Sequence, residues 1–203
     1  MSPSVTPTSS TPAGVHLYRP SQTGGTAKAS PDGLTIANQG NGSSSHLTAE
    51  LFQMAAGVKL RHVPYRGSAP ALTDLVSGNV DMMFDNLGSS LPLVESEKLK
   101  LIAVASPGRL SRLPNAPTVA ESLPGFQSET WNSMVAPPNT PSDILEKINA
   151  DVNEVLRHPE VAGAFERATG EVTGGSRAGM AAYVKQESER WSAVIKAAGI
   201  TLQ

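Results

Sequence analysis

Short β-branched runs alternate with segments of helical period between residues 34 and 105. The runs LTIANQ, KLRHVPY, VDMMF and LKLIAVA are apolar and bounded by turn residues, so they predict four strands. Apolar residues between them recur every three or four positions and predict helices that end at Gly57 and Gly78, followed by a short helix from about Leu91 to Glu97. This alternation predicts right-handed βαβ crossovers and an α/β fold with a mainly parallel sheet.

The flanking segments have other patterns. Residues 1–30 are rich in Ser, Thr, Pro and Gly and have few large apolar residues, so we expect them to be largely disordered. QSETWNSMVAPP predicts an extended strand that leaves the α/β lobe; amphipathic helices and a small strand, EVTGG, follow it. We therefore expect a disordered segment (1–30), an α/β ligand-binding lobe (31–130), and an inter-lobe strand with C-terminal helices (131–203).

Composition limits the partners of this chain. The formal net charge is -2 and no Lys/Arg cluster occurs, which argues against nucleic acid as a partner. Cysteine is absent, so neither disulfides nor a thiol nucleophile are expected. No apolar run approaches the ~20 residues of a membrane span, so we expect no direct membrane insertion. The N-terminus lacks the pattern of an export leader, which predicts a cytoplasmic location if the chain is translated as written.

Three loops follow predicted strands and precede predicted helices. In a parallel α/β sheet such loops meet at the carboxyl ends of the strands, where helix N-termini present free N–H groups. Glycines allow close backbone approach and serines add short hydroxyl donors, so these loops suit a small anion such as a carboxylate. The simpler alternative is that they are only well-capped helix starts. The candidate ligand-binding residues are Gly42, Ser43, Ser44, Ser45, His46, Arg66, Gly67, Ser68, Asp85 and Asn86.

Other chemistries find less support in these loops. GNGSSS lacks the third glycine of a dinucleotide fingerprint, so no cofactor is expected. Ser44, His46 and Asp85 are the residue types of a hydrolytic triad, but no G-x-S-x-G elbow accompanies them, and we expect no catalytic residue. His46 and Glu50 have a spacing compatible with metal ligation; without a second histidine nearby, we expect a solvated or capping histidine and no metal. Asp85 either caps the next helix or accepts a hydrogen bond from a ligand.

A long ordered stretch resembles one known family. The sequence NGSSSHLTAELFQMAAGVKLRHVPYRGSAPALTDLVSGNVDMMFDNLGSSLPLVESEKLKLIAVAS is similar to the substrate-binding receptors of tripartite tricarboxylate transporters, the Bug family. The similarity continues through RLPNAPTVAESLPGFQSETWNSMVAPPNTP to WSAVIKAAGI and covers about residues 28–200.

The resemblance implies a two-lobed, Venus-flytrap fold of the periplasmic-binding-protein type, here with one complete lobe and one that lacks its N-terminal part. It also implies a periplasmic receptor that captures a small carboxylic acid and delivers it to a membrane permease. In the family, loops matching Gly42 to His46, Arg66 to Ser68 and Asp85-Asn86 line one wall of the ligand cleft.

Three hypotheses follow. The first is a solute-binding receptor, shortened relative to its family, that performs no chemistry. The second is an esterase-like hydrolase that uses Ser44 or Ser45 with His46. The third is a non-binding or interaction module, in which apolar stripes containing Ile144, Ile148, Val152 and Trp191 would be exposed and would favour aggregation or a partner.

Overall fold

The computed structural model describes residues 5–11, 13–18 and 33–201. The chain forms two compact units, each treated separately below. We call Pro12–Glu129 with Val194–Gln203 the α/β unit, and Met1–Thr11 with Thr130–Ala193 the helical unit. The strands are β1 (Val5–Thr11), β2 (Ala13–Tyr18), β3 (Thr35–Asn38), β4 (Arg61–Pro64), β5 (Met82–Asn86), β6 (Lys100–Val104) and β7 (Thr130–Val135). The helices are α1 (Ser44–Ala56), α2 (Ser68–Ser77), α3 (Leu87–Glu95), α4 (Ser142–Leu156), α5 (Pro159–Arg167) and α6 (Arg177–Ala198), with a short 3-10 helix at Val119–Glu121.

The α/β unit is built on a five-stranded sheet in the order β4-β3-β5-β2-β6. Strand β3 runs parallel to β4 and β5, as the alternating pattern predicts. Strand β2 is antiparallel to both β5 and β6. The four strands expected from the sequence are therefore present, and β2 separates the last two of them.

The expectation of disorder over residues 1–30 is wrong for two segments, which form β1 and β2. Strand β1 pairs with β7, and β2 is hydrogen-bonded on both edges. Composition bears on side-chain burial, whereas a strand can also be held by backbone hydrogen bonds to its neighbours. Residues 1–4, 12 and 19–30 of that prediction lie outside the described residues. As a result the α/β unit begins at Pro12 rather than near residue 31.

Two apolar layers cover the sheet, one on each face. Consecutive strand residues point to opposite faces, so Ala37 and Met83 belong to one cluster and Ile36 and Phe84 to the other. The first layer packs against α2 and α3. The second includes α1 and the aromatic rings of three residues whose centroids lie 5.8 to 6.3 Å apart: Phe52, Phe84 and Phe126.

The predicted ends of the first two helices are confirmed. Gly57 and Gly78 adopt left-handed conformations, with φ of 62° and 79°, immediately after α1 and α2. Glycine takes this conformation without a Cβ clash and so ends both helices. Helix α3 begins at Leu87 rather than near Leu91, directly after its N-cap Asn86, a residue type that favours this position.

The helical unit contains a two-stranded antiparallel sheet, β1-β7, with α4, α5 and most of α6. Trp131 packs edge-on against Tyr183 at 5.7 Å between ring centroids. Of the stripe on α4, Ile144 and Ile148 are exposed, whereas Val152 is half-buried. The segment EVTGG does not form a strand. Among the described residues, no helix is both long and apolar enough to cross a membrane.

Leu75, on the buried face of α2, belongs to the first apolar layer and is fully buried. Replacing Leu75 by Ala removes buried methyl groups and leaves a cavity, so we expect a loss of about 2–5 kcal/mol in unfolding free energy. Met54→Ala, at a side chain that is 51% exposed, is the control and should change stability by no more than about 0.5 kcal/mol. Urea denaturation measures both variants; equal effects would contradict the assignment of this core.

Candidate functional site

Each of the three consecutive serines at the start of α1 has a different role. Ser43 is the N-cap, and its hydroxyl accepts a hydrogen bond from the backbone N–H of His46 at 3.2 Å. The buried Ser45 hydroxyl donates to the carbonyl oxygen of Phe84 at 2.7 Å and so fixes α1 to β5. Ser44 is exposed. Two serines therefore position the loop, and the third keeps an accessible hydroxyl.

The backbone adds N–H donors beside that hydroxyl. Ser44 and Ser45 are the first two residues of α1, and N–H groups in a first helical turn have no acceptor within the helix. Helix α1 is 13 residues long, and the positive end of its dipole lies at this N-terminus. No acidic residue lies in the first turn to neutralise it. The start of α1 is thus suited to an anion.

Asp85, at the carboxyl end of β5, connects three loops. Its Oδ1 accepts hydrogen bonds from Gln39 Nε2 at 2.7 Å and from Ser68 Oγ at 2.6 Å. Gln39 follows β3 and Ser68 begins α2, so one carboxylate oxygen joins β3, β5 and α2. The N-cap of α3 is Asn86, which leaves Asp85 free of the capping role considered for it.

Burial dominates the electrostatics of Asp85. Only 2% of the residue is exposed, and Oδ2 is buried with no hydrogen-bond partner among the described residues. Burial raises the pKa of Asp85 above its usual value, while the bonds from Ser68, Gln39 and the Asn86 backbone act in the opposite direction.

A shallow depression that is open to solvent lies at the start of α1, and we call it the α1 depression. The structure brings together here four of the residues selected from the sequence and adds three that were missed. The lining residues are Gln39, Ser44, Ser45, Thr48, Phe84, Asp85 and Asn86.

Two of the missed lining residues could have been selected from the sequence. Gln39 directly follows β3, at the same sheet edge as Asp85. Thr48 lies four residues after Ser44 and therefore on the same face of α1. Phe84 points to the apolar layer, and nothing in its sequence context distinguishes it from an ordinary core residue.

The remaining candidates support the loops without lining the α1 depression. Gly67 is the N-cap of α2, with a φ of 109°, and Ser68 bonds to Asp85. Arg66 is exposed and forms no ion pair with the described residues. Gly42 and Ser43 shape the turn before α1: the Gly42 N–H donates to His46 Nδ1 at 3.1 Å.

His46 belongs to a polar cluster that the sequence did not reveal. It is buried rather than solvated, and its Nε2 lies 3.6 Å from Glu50 Oε1. His62, on β4, places its own Nε2 3.2 Å from the same oxygen. Gln53 completes the cluster, with Nε2 2.8 Å from His62 Nε2. The β3–β4 register brings His62 here, and helical spacing alone does not predict it.

The donor atoms of His46, Glu50 and His62 lie within 4.8 Å of one another, a spacing that a metal ion would accept. The Gly42 N–H can only donate, so His46 Nδ1 must present its lone pair and neutral His46 carries its proton on Nε2. A metal ion on Nε2 would require this proton to move to Nδ1, where the Gly42 N–H already donates. The cluster is therefore better described as a hydrogen-bonded network.

The hydrolytic triad is not assembled. His46 Nδ1 is engaged by Gly42, and Asp85 Oδ1 by Gln39 and Ser68. The Ser45 hydroxyl donates to a backbone carbonyl. No hydrogen bond joins either serine side chain to the His46 ring among the described contacts, so the alternative of a hydrolase loses its geometric basis.

Burial lowers the pKa of His62 below its usual value of 6.5; the Glu50 charge raises it and the His46 charge lowers it further. Because the folded protein favours neutral His62, this contribution to stability is present above about pH 6.5 and is lost as the pH falls from there through the folded pKa. We expect the melting temperature to fall between pH 7.5 and 5.5, and to fall less in His62→Gln. The same substitution at the exposed His158 should leave the slope unchanged. Parallel pH profiles for all three proteins would contradict this reading.

Sequence comparison provides an independent view of the same regions. The sequence pattern described as "Tripartite tricarboxylate transporter family receptor" matches residues 23–200. A protein from the tcbD-tcbE intergenic region of Pseudomonas sp. (strain P51) is 39% identical over 171 residues, covering 83% of this chain and 51% of that relative. The chain thus spans about half the length of this relative.

Solved structures share the fold. An R. palustris protein described with adipate superposes with a TM-score of 0.84 at 32% identity, covering 98% of this chain and 69% of that one. MatC from Rhodopseudomonas palustris, described with bound malate, gives a TM-score of 0.77 at 30% identity, covering 94% and 69%. The periplasmic-binding-protein-like α/β fold expected from the resemblance is confirmed. The chain belongs to the receptor family of the tripartite tricarboxylate transporters.

Proposed function

We propose that this chain binds a small carboxylic acid in the α1 depression and performs no chemistry on it. The observation that carries the proposal is the division of roles among the serines: Ser43 and Ser45 fix the start of α1, and Ser44 keeps an exposed hydroxyl beside free N–H groups. A carboxylate placed there accepts hydrogen bonds from the Ser44 hydroxyl and the first-turn amides while it meets the positive end of the helix dipole.

Other features support an acid as the ligand. The lining of the α1 depression combines polar side chains with the buried Phe84 and includes no acidic residue other than Asp85. Relatives described with adipate and malate support a carboxylate as the ligand class. The family description further supports delivery of the acid to a tripartite transporter and its membrane permease, and a similar structure described as the periplasmic binding protein BugD supports a receptor that acts in the periplasm.

A thermal-shift screen of the whole chain against mono-, di- and tricarboxylates tests the proposal. A ligand that binds only the native state at a hundred times its Kd stabilises it by about 2.7 kcal/mol, which is measurable as a rise in melting temperature. Ser44→Ala removes one hydrogen bond to a charged group, so we expect affinity to fall about tenfold or more.

The matched control is Ser142→Ala. Ser142 is also an exposed serine at the first position of a helix, α4 of the helical unit. It should leave the ligand-induced shift unchanged. No shift with any acid would overturn the proposal and favour an interaction module. Equal losses in both variants would contradict the placement of the acid at Ser44.

A further inference from the structure

The turn in front of α1 contains Asn41 followed by Gly42, the only Asn-Gly pair in the chain. The backbone N–H of Ser43 donates to the carbonyl oxygen of Gly40 at 3.1 Å and closes this turn. Asn41 is exposed, and its side chain makes no hydrogen bond among the described contacts. The side-chain amide is therefore accessible to water and is not held in one orientation.

An asparagine that precedes a glycine is prone to an intramolecular reaction. The backbone nitrogen of the following residue attacks the side-chain carbonyl carbon, and glycine hinders this approach least because it has no Cβ. The attacking nitrogen must lose its proton, and a peptide N–H is a very weak acid. A positioned base that accepts this proton therefore accelerates the reaction.

The structure places such a base on Gly42. The Gly42 N–H donates to His46 Nδ1 at 3.1 Å, so a ring lone pair already faces the proton to be removed. On the other side of the same ring, Nε2 lies 3.6 Å from Glu50 Oε1. A carboxylate in this position favours the charged ring that forms when His46 takes the proton. Carboxylate, imidazole and N–H thus stand in the order that activates a nucleophile in hydrolytic enzymes.

His62 is the other titratable group that packs against the His46 ring, with 4.9 Å between the ring centroids. Burial lowers the pKa of His62 below its usual value, although the Glu50 charge acts in the opposite direction. His62 is therefore mainly neutral at neutral pH and does not oppose a positive charge on His46.

We propose that Asn41 is a site of self-catalysed deamidation for which His46 is the base. The Gly42 nitrogen gives its proton to His46 Nδ1 and forms a bond to Asn41 Cγ. The bond from Cγ to Nδ2 then breaks, and the side-chain nitrogen leaves as ammonia after it takes the proton back from the ring. A water molecule opens either carbonyl of the cyclic imide, which leaves aspartate or isoaspartate at position 41 without any oxidation or reduction.

The product alters the loop that precedes Ser44. Both forms add a negative charge two residues before the N-cap Ser43, and isoaspartate also lengthens the backbone of the turn by a methylene carbon. The effect on binding rests on the proposed function. The added charge repels an acid at the start of α1, and the added carbon displaces the turn that leads into the first helical residues. Deamidation therefore weakens acid binding as the protein ages.

Peptide mapping by mass spectrometry, after timed incubation of the whole chain at neutral pH, measures the reaction. Asn115 and Asn139 are also exposed and serve as internal references. His46→Asn keeps an acceptor oxygen near the position of Nδ1, but an amide oxygen does not take up the proton. A positioned base typically contributes about 10²–10⁴-fold, so we expect this variant to slow the loss of Asn41 by about tenfold or more. An unchanged rate overturns the inference, as does equal reaction at the reference asparagines.

Unfolding in urea is the matched control. It separates His46 from Gly42, so the wild-type chain and His46→Asn should then react at the same rate. A difference that persists in urea contradicts a role for the folded geometry. If His46→Asn does not fold, the wild-type rates decide: faster loss of Asn41 in the native chain than in urea supports the inference, and slower loss overturns it.

Asn41→Gln isolates the consequence for binding, because its longer side chain does not readily close the five-membered ring. Both proteins are aged together and then screened for the thermal shift with carboxylic acids. The wild-type shift should decline in proportion to the modified fraction, whereas the variant should keep its shift. A fully modified chain with an undiminished shift overturns the effect on binding. No shift before ageing overturns the proposed function and leaves the modification site standing.

Discussion

The carboxylate of Asp85 is the constraint on which the site depends. A single oxygen receives short hydrogen bonds from Gln39, which follows β3, and from Ser68, which begins α2. These bonds fix the relative positions of two loops and the end of β5 in a buried setting, where a broken bond would leave a polar group unsatisfied. The geometry of the α1 depression follows from that anchoring together with the bond from Ser45 to the Phe84 carbonyl.

Under the proposed function, an anion is selected without a dedicated cation, and preorganisation is the physical basis. Arg66 is exposed and does not line the α1 depression, so its charge is not what defines the site. The proposed donors are instead the exposed Ser44 hydroxyl and first-turn backbone N–H groups; the helix holds these N–H groups in place before a ligand arrives, so they lose little entropy on binding. The adjoining network of His46, Glu50 and His62 holds the Gly42 turn through a backbone N–H bond. Polar residues near the site thus divide into those that shape the loop and those that remain available.

Sequence patterns predicted the alternating architecture, the ends of α1 and α2, and the meeting of three loops at one sheet edge, because these depend on local periodicity and strand direction. They did not predict which serine would remain exposed, since this depends on where each hydroxyl points after packing. His62 was missed because it joins His46 only through the pairing of β3 with β4. Strand β2 was missed because backbone pairing, rather than its composition, places it between β5 and β6.

We infer that the start of α1 is the anion-binding element of the α/β unit. Recording ¹⁵N–¹H NMR spectra of the chain during titration with L-malate and adipate tests it most directly, because amide shifts report which N–H groups acquire a hydrogen bond. We expect saturable shifts concentrated at Ser44 and Ser45, with little change at the start of α4. Saturable shifts that leave these two amides unaffected and cluster elsewhere would contradict this assignment.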